Sequence, residues 1–293
     1  NRYFDVVVEY AKASPEDLLI RIHVVNRGPD SAPLTLLPTL WMRNTWDWGY
    51  SEDWRQRHPL SRIQSGVQTA DLEGLGTYQL VCREPGTWLF TENQTNAERL
   101  YGKTNEQPYV KDAFHRYVID GDTTTVNPAQ EGTKASLLLE QIIPAGGEWV
   151  VDLRLARQMP AAPFAAEFDQ TFKERERECL EYFHSCAPNL SLEDALIYRS
   201  AASGLLWCKK FYRWVVIRWL SGDPNHPAPP VERLKTENAY WRRLYADDVI
   251  SMPDSWEYPY FCQWDLMFHS VSFAPIDPAT AKTQSMLLRG PRY

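Results

Sequence analysis

Residues 147–172 read Gly147-EWVVDLRLARQMPAAPFAAEFDQT-Phe172, and within these 26 positions the period of the apolar residues changes. Trp149, Val151, Leu153 and Leu155 recur every second residue, as on a strand, whereas Phe164, Phe168 and Phe172 recur every fourth, as on a helix. The break falls at Pro160-Ala-Ala-Pro163, where two prolines exclude both structures. Before this point the chain is predicted to be all β and after it all α. Runs of one kind followed by runs of the other argue for separate domains rather than an alternating α/β sheet.

Working back, Tyr3–Tyr10, Leu18–Val25 and Leu34–Leu37 are short runs rich in β-branched and aromatic residues, separated by turns such as Asn26-Arg-Gly-Pro-Asp30. Ala145-Gly-Gly147 is expected to join Ala135–Ile143 to Glu148–Leu155 as a hairpin. The spacing fits antiparallel strands packed as two sheets, a β-sandwich over residues 1–157. Working forward, Phe164–Phe183 carries Arg and Glu pairs at helical spacing, and residues 158–190 are predicted as a helical linker. Ser191-Leu-Glu-Asp194 reads as a helix start, followed by a helical, apolar Ala195–Trp219 and a Pro- and Gly-filled loop at Ser221–Pro230. Trp241–Ser255 reads as irregular, Tyr258–Phe273 as a largely buried helix, and Ala281–Leu288 as an amphipathic helix near the end of the chain.

The chain has 293 residues and a formal charge of -7 with the two signs interspersed, which argues against a nucleic-acid surface. Five cysteines without a CxxC or zinc-ligand spacing point to a reducing compartment, the cytoplasm. No apolar run approaches the roughly 18 residues of a membrane helix. The first residue is Asn1, so a periplasmic or secreted origin stays open, and the chain is expected to be a piece of something longer. G-x-S-x-G, Walker and dinucleotide patterns and H-E-x-x-H are all missing, which removes support for serine hydrolase, nucleotide-dependent and zinc protease chemistry. No ligand cluster calls for a metal or an organic cofactor.

The 12 tryptophans need a reason. Trp41, Trp46, Trp48, Trp241, Trp256 and Trp264 either stack on sugar rings or serve as core, and Asn44, Asp47 and Arg43 beside the first three either bond hydroxyl groups or shape turns. Lys111, Asp112, His115 and Arg116 crowd Tyr109–Tyr117, with a solvated loop as the plainer alternative. Lys209 and Lys210 on a mainly apolar helix need solvent or an acidic partner. Asp265 is the sharpest candidate. In a helix it shares a face with Phe261, Phe268 and His269, and a carboxylic acid in apolar surroundings suits protonation of a leaving oxygen in glycoside hydrolysis. The alternatives are an acid that caps a helix end or one that pairs with His269 as a satisfied buried group, and Glu257, a competing acid, suits a helix start just before Pro259.

Arg2–Lys12, Leu37–Trp46, Tyr109–Tyr117, Gly204-Leu-Leu-Trp207, Val249–Pro259 and Gln263-Trp-Asp-Leu-Met-Phe-His269 resemble bacterial members of glycoside hydrolase family 63, relatives of the mannosyl-oligosaccharide glucosidases and mannosylglycerate hydrolases. The resemblance implies an amino-terminal β-sandwich, then an (α/α)6 barrel of which residues 191–293 form the first part. It implies hydrolysis of α-glycosidic bonds with inversion, with Asp265 as general acid, no cofactor, and an oligosaccharide or small glycoside as substrate. Trp46, Trp48, Lys111, His115, Trp256 and Trp264 are carried over as substrate-binding residues. The family's barrel runs on for several hundred residues past the Trp-Asp pair, and its general base, a Glu, lies there. No residue here takes that role, so the isolated chain is expected to be inactive, the alternative being a carbohydrate-binding or structural remnant. Ala246, where Asn is expected, and Lys210, where Gln is usual, are local departures.

Overall fold

The computed structural model describes residues 2–50, 56–72, 74–252 and 262–289. Two compact units divide the chain, residues 1–175 and 176–293. Antiparallel sheets fill the first and helices dominate the second, so the β-then-α order holds.

Unit 1 opens with a hairpin, β1 (Phe4–Ser14) and β2 (Asp17–Asn26), in which Val8 faces Ile22 and Tyr10 faces Ile20. Then come β3 (Ala32–Leu36), β4 (Thr39–Trp41), β5 (Leu60–Ile63), β6 (Gly66–Thr69), β7 (Gln79–Cys82) and β8 (Thr87–Thr91). Two short helical segments follow, α1 (Ala97–Tyr101) and α2 (Ala113–His115), and then β9 (Glu131–Gly132), β10 (Lys134–Ile143) and β11 (Glu148–Ala156). One sheet has seven strands in the order β1-β2-β11-β7-β6-β5-β9. The other is organised on β10, which pairs β3 through Leu139–Ile143 and both β4 and β8 through its first residues. Ile22, Val24, Leu60, Val67, Val151 and Leu153 of the first sheet meet Phe90, Leu137 and Ile143 of the second in one buried cluster. Gly66 is obligatory in that packing, because a Cβ there would lie 2.0 Å from the Leu80 carbonyl oxygen.

The expected hairpin at Ala145-Gly-Gly147 does not form. β10 and β11 lie in different sheets, and the turn between them carries the chain across. Gly146 takes φ 66°, and its N–H and the Gly147 carbonyl bond the Asn26 backbone at 3.0 Å each. The buried Asn26 side chain donates to the Ile143 carbonyl at 2.9 Å. Two alternating runs around a Gly pair look the same whether they pair with each other or with strands elsewhere.

The β2 alternation has a second buried element. Leu19 faces away from the cluster above and packs with Ala11 against Phe168 of α3 (Ala166–Cys186). Arg21 lies over the Phe172 ring at 4.7 Å and pairs with Asp152 at 2.8 Å and Asp169 at 2.6 Å. Arg83 also pairs with Asp152, at 3.0 Å, and lies over Phe164 at 5.0 Å. Within the segment read as a helical linker, the first turns of α3 fall in unit 1 and its last turns in unit 2.

In unit 2, Phe183 packs with Ala202 and Ile276. α4 (Leu192–Trp207) starts where expected, with Ser191 Oγ accepting from the Asp194 N–H at 3.2 Å. The helix expected through Trp219 stops at Trp207. Lys209–Val215 is a strand, β12, followed by α5 (Val216–Ser221). The partner of β12 is β13 (Tyr245–Ser251), within the stretch read as irregular, with Tyr212 facing Asp248. The β-branched and aromatic content of Phe211–Ile217 outweighs the apolar helical composition around it. Lys209 and Lys210 therefore lie on a strand, and Lys209 finds the acidic partner the sequence demanded, Asp277 at 2.8 Å.

α6 (Gln263–Phe273) and α7 (Pro278–Arg289) complete the description. Asp277 opens α7, accepting from the Thr280 N–H at 3.0 Å, with Pro278 at the first helical position. Gln284, 2% exposed, ties three elements together. Its Oε1 accepts from the Ser251 N–H at 2.9 Å and the Ser251 hydroxyl at 3.0 Å, and its Nε2 donates to the Leu266 carbonyl at 3.0 Å and Ser270 Oγ at 3.1 Å. Among the described residues no helix is long and apolar enough to cross a membrane.

Candidate functional site

α6 fixes Asp265 in its first turn, a position where the free N–H groups favour a carboxylate. Leu266, Ser270 and Phe273 turn inward and set the rotation of the helix. Asp265 is half-buried as a result. Its neighbours divide unevenly: Trp264 and Phe268 are 70% and 63% exposed, with their rings edge to face at 5.7 Å. The largely buried helix expected from the sequence is therefore buried on one side only. Phe261, Trp256 and Glu257 lie outside the described residues.

Two groups bear on the carboxyl of Asp265. The Cys262 thiol, at the N-cap position, donates to Oδ2, and burial followed by this bond pushes the thiol pKa up. His269, one turn on, is half-buried. Burial lowers its pKa below the ordinary histidine value, with the Asp265 charge opposing. Its Nδ1 is buried without a hydrogen-bond partner among the described residues, and the first-turn place of Asp265 is the helix-end position that the plainer alternative expects. An imidazole with an orphaned, buried nitrogen thus lies one turn from the carboxyl, beside two exposed rings.

The other sequence candidates gather in unit 1. Trp46, Asp47 and Trp48 form a single 3-10 turn closed by Gly49 at φ 79°, which holds both indoles half-buried on either side of the acid. Asp47 Oδ2 accepts from the Asn44 side chain and Oδ1 from Gln94 Nε2 at 2.8 Å. Asn93 donates to the Met42 carbonyl at 2.8 Å. The Gln94 carbonyl accepts from the Lys111 N–H at 3.0 Å, and the Glu92 N–H donates to the Tyr109 carbonyl at 2.8 Å. Residues 92–94 thereby stitch Met42–Trp48 to Tyr109–Lys111, two segments that the sequence separates by some sixty positions. Gln94 Oε1 is buried and has no hydrogen-bond partner among the described residues.

Lys111 and His115 are both exposed, whereas Asp112 is half-buried. Burial works against the Asp112 carboxylate, but hydrogen bonds from Arg99 and Asn96 outweigh it and hold its carboxyl below the usual range. Lys134 was not foreseen. It opens an apolar strand, where a charge reads as a solvated end, yet its ammonium donates to the Lys111 carbonyl at 2.7 Å and faces the Phe114 ring at 4.6 Å and Trp41 at 5.6 Å. Asp265 and Trp264 belong to unit 2, and Trp46, Trp48, Lys111 and His115 to unit 1. No cluster of three or more His, Cys, Asp or Glu that could hold a metal occurs among the described residues.

No family model matches the sequence. The sequence is similar to a Saccharomyces cerevisiae protein described as uncharacterized protein YMR196W, at 35% identity over 331 aligned residues that take in 98% of this chain and 30% of that protein. The chain thus spans about a third of the length of the curated relative it matches. Because the aligned span exceeds the 293 residues of the chain, the relative carries additional residues between the matched segments.

Proposed function

We propose that the chain is part of an inverting α-glycosidase resembling glycoside hydrolase family 63, with a β-sandwich in unit 1, the first helices of an (α/α)6 barrel in unit 2, and Asp265 as general acid. The observation that carries the reading is the Asp265 surface itself, a half-buried carboxyl in the first turn of α6, flanked by the exposed rings of Trp264 and Phe268. Exposed aromatic faces of that kind suit the apolar side of a sugar ring. In the proposed reaction Asp265 gives its proton to the glycosidic oxygen as the bond from the anomeric carbon breaks. Water attacks that carbon from the opposite face and loses its proton to a carboxylate about 6.5–9.5 Å from the acid. Burial works against a positive charge on His269, one turn from the donor.

No residue of this sequence is assigned as the base, so an α-glucoside is not turned over by this chain alone. The test has two arms. Reading the coding DNA through and past the codon for Tyr293, in all three frames, is expected to give further barrel helices with a Glu-bearing loop; their absence from every frame would overturn the glycosidase reading. Assay of the chain with an aryl α-glucoside is expected to give background rates, and a specific rate abolished by Asp265→Asn would place the base within these residues. A carbohydrate-binding role is favoured by one further observation, the joined Trp and Lys segments of unit 1.

A further inference from the structure

β10 has neighbours along one whole side but along only half of the other. On the first side β3 faces Leu139–Ile143 and β4 faces Lys134–Ser136; on the second β8 faces Lys134–Leu138 and ends at Thr87. The Leu137 N–H donates to the Pro38 carbonyl at 3.1 Å, so the odd-numbered residues of β10 direct their backbone groups to β3 and β4. Alternation turns those of Leu138, Glu140 and Ile142 the other way. Leu138 meets Thr87 there, whereas Glu140 and Ile142 meet no strand among the described residues. β8 cannot extend to reach them. Pro85, next in register opposite Glu140, has no N–H to give, and the Arg83 N–H is bonded to the Asp152 carbonyl of the other sheet at 2.9 Å.

The notch left beside Glu140 is a cavity of about 400 Å³, lined by Pro85, the buried Leu139 and Trp149, and two acids, Glu84 and Glu140. Neither acid pairs with a cation among the described residues, and Glu84 accepts only the Cys82 thiol, at 3.7 Å. Two N–H and two C=O groups spaced along an extended backbone match another extended backbone, which would complete the ladder. Charge and pleat choose its side chains. A residue opposite Glu140 shares the face of that carboxylate and is best as Lys or Arg. One opposite Gln141 falls on the face of Leu139 and Trp149, and one opposite Ile142 meets a side chain that is 68% exposed, so both are best apolar. We propose that Glu140–Ile142 is a docking edge for an extended peptide strand, antiparallel to β10, that reads apolar, apolar, basic from its amino end. The edge belongs to unit 1 and does not depend on the Asp265 chemistry.

Titration of the full chain with acetyl-Thr-Val-Val-Lys-Thr-amide at low ionic strength, followed by amide exchange in NMR spectra, tests the edge. Exchange of the Glu140 and Ile142 N–H groups is expected to slow, while that of Gln141, which faces β3, stays as it was. Replacing the peptide's Lys by Glu is expected to weaken binding about tenfold, and added salt reduces that difference. Methylating the backbone nitrogen of the same Lys removes a ladder donor and is expected to weaken binding about tenfold as well. Glu140→Lys alters an exposed side chain and is expected to remove the preference for Lys over Glu without changing the circular dichroism spectrum. No binding, protection along β1 in place of β10, an N-methylated peptide as tight as its parent, lysine amide as tight as the peptide, or Glu140→Lys with its preference intact would overturn the proposal.

Discussion

Gln284→Ala tests whether the interior of unit 2 depends on one amide. The four hydrogen bonds of Gln284 are not equivalent. Leu266 O keeps a second donor, Ser270 Oγ at 2.8 Å, so the α6 side of the network loses little. The Ser251 N–H and hydroxyl have no such reserve, since Ser251 is wholly buried and both groups point at Gln284 Oε1. Each orphaned donor costs about 1–3 kcal/mol, and the two together, with the lost packing, about 3–5 kcal/mol. With a urea dependence of about 1–3 kcal/mol per molar, the transition of unit 2 is expected to move down by about 1–5 M. Hydrogen exchange should localise the change to α6, α7 and β13, leaving the sheets of unit 1 as protected as before. In a cycle with Ser251→Ala the two substitutions are expected to couple by about 1 kcal/mol, because the second removes a donor that the first has already orphaned. A loss below about 1 kcal/mol, or additive losses, would refute the assignment of the cost to Ser251.

Asp152→Ala leaves two guanidinium groups over the outer face of the seven-stranded sheet. Arg21 keeps Asp169 but Arg83 loses its carboxylate, and the expected cost is about 3–5 kcal/mol in thermal or urea unfolding of unit 1; a change under about 1 kcal/mol would mean that ring stacking alone holds α3. Asp277 supplies a pH dependence. The hydrogen bond from Lys209, then those from Thr280, depress its pKa to about 2, below the ordinary value of 3.8. A depressed carboxyl contributes stability in full above about pH 4 and loses it as pH falls through about 2. Asp277→Asn should flatten the melting temperature of unit 2 across that window, and a profile parallel to that of the parent chain would assign the acid sensitivity elsewhere.

The class change at Pro160-Ala-Ala-Pro163 was legible because periods of two and four residues are incompatible and prolines mark the seam. The cap at Ser191 was equally plain, being a matter of four consecutive residues. Partner choice was not legible. The Glu148–Ala156 strand alternates cleanly, but its neighbours lie some seventy and some hundred and thirty residues earlier, and alternation carries no address. Lys209–Val215 was lost to its surroundings, since a seven-residue strand between two helices disappears in a helical average. At the candidate site the carboxyl could be picked out by its odd company, whereas Cys262, Gln94 and Lys134 could not. Their importance lies in a bond made or missing in space, and nothing in their immediate sequence announces it.

The position of β11 governs how unit 1 comes into being. β1 and β2 can pair as soon as both exist, and β5, β6 and β7 can form a meander of their own, but no strand of one piece pairs with a strand of the other. Only β11 joins them, pairing Val24 to Trp149 along one side and Leu80 to Leu155 along the other. On a ribosome the last strand of the unit to emerge is therefore the one that closes the sheet, and until residue 156 has left the exit tunnel two unfinished edges stand open side by side. Long-range closure of this kind makes folding slow, exposes strand edges to other chains while it waits, and makes the order of synthesis rather than the final energy the hazard this unit has to survive.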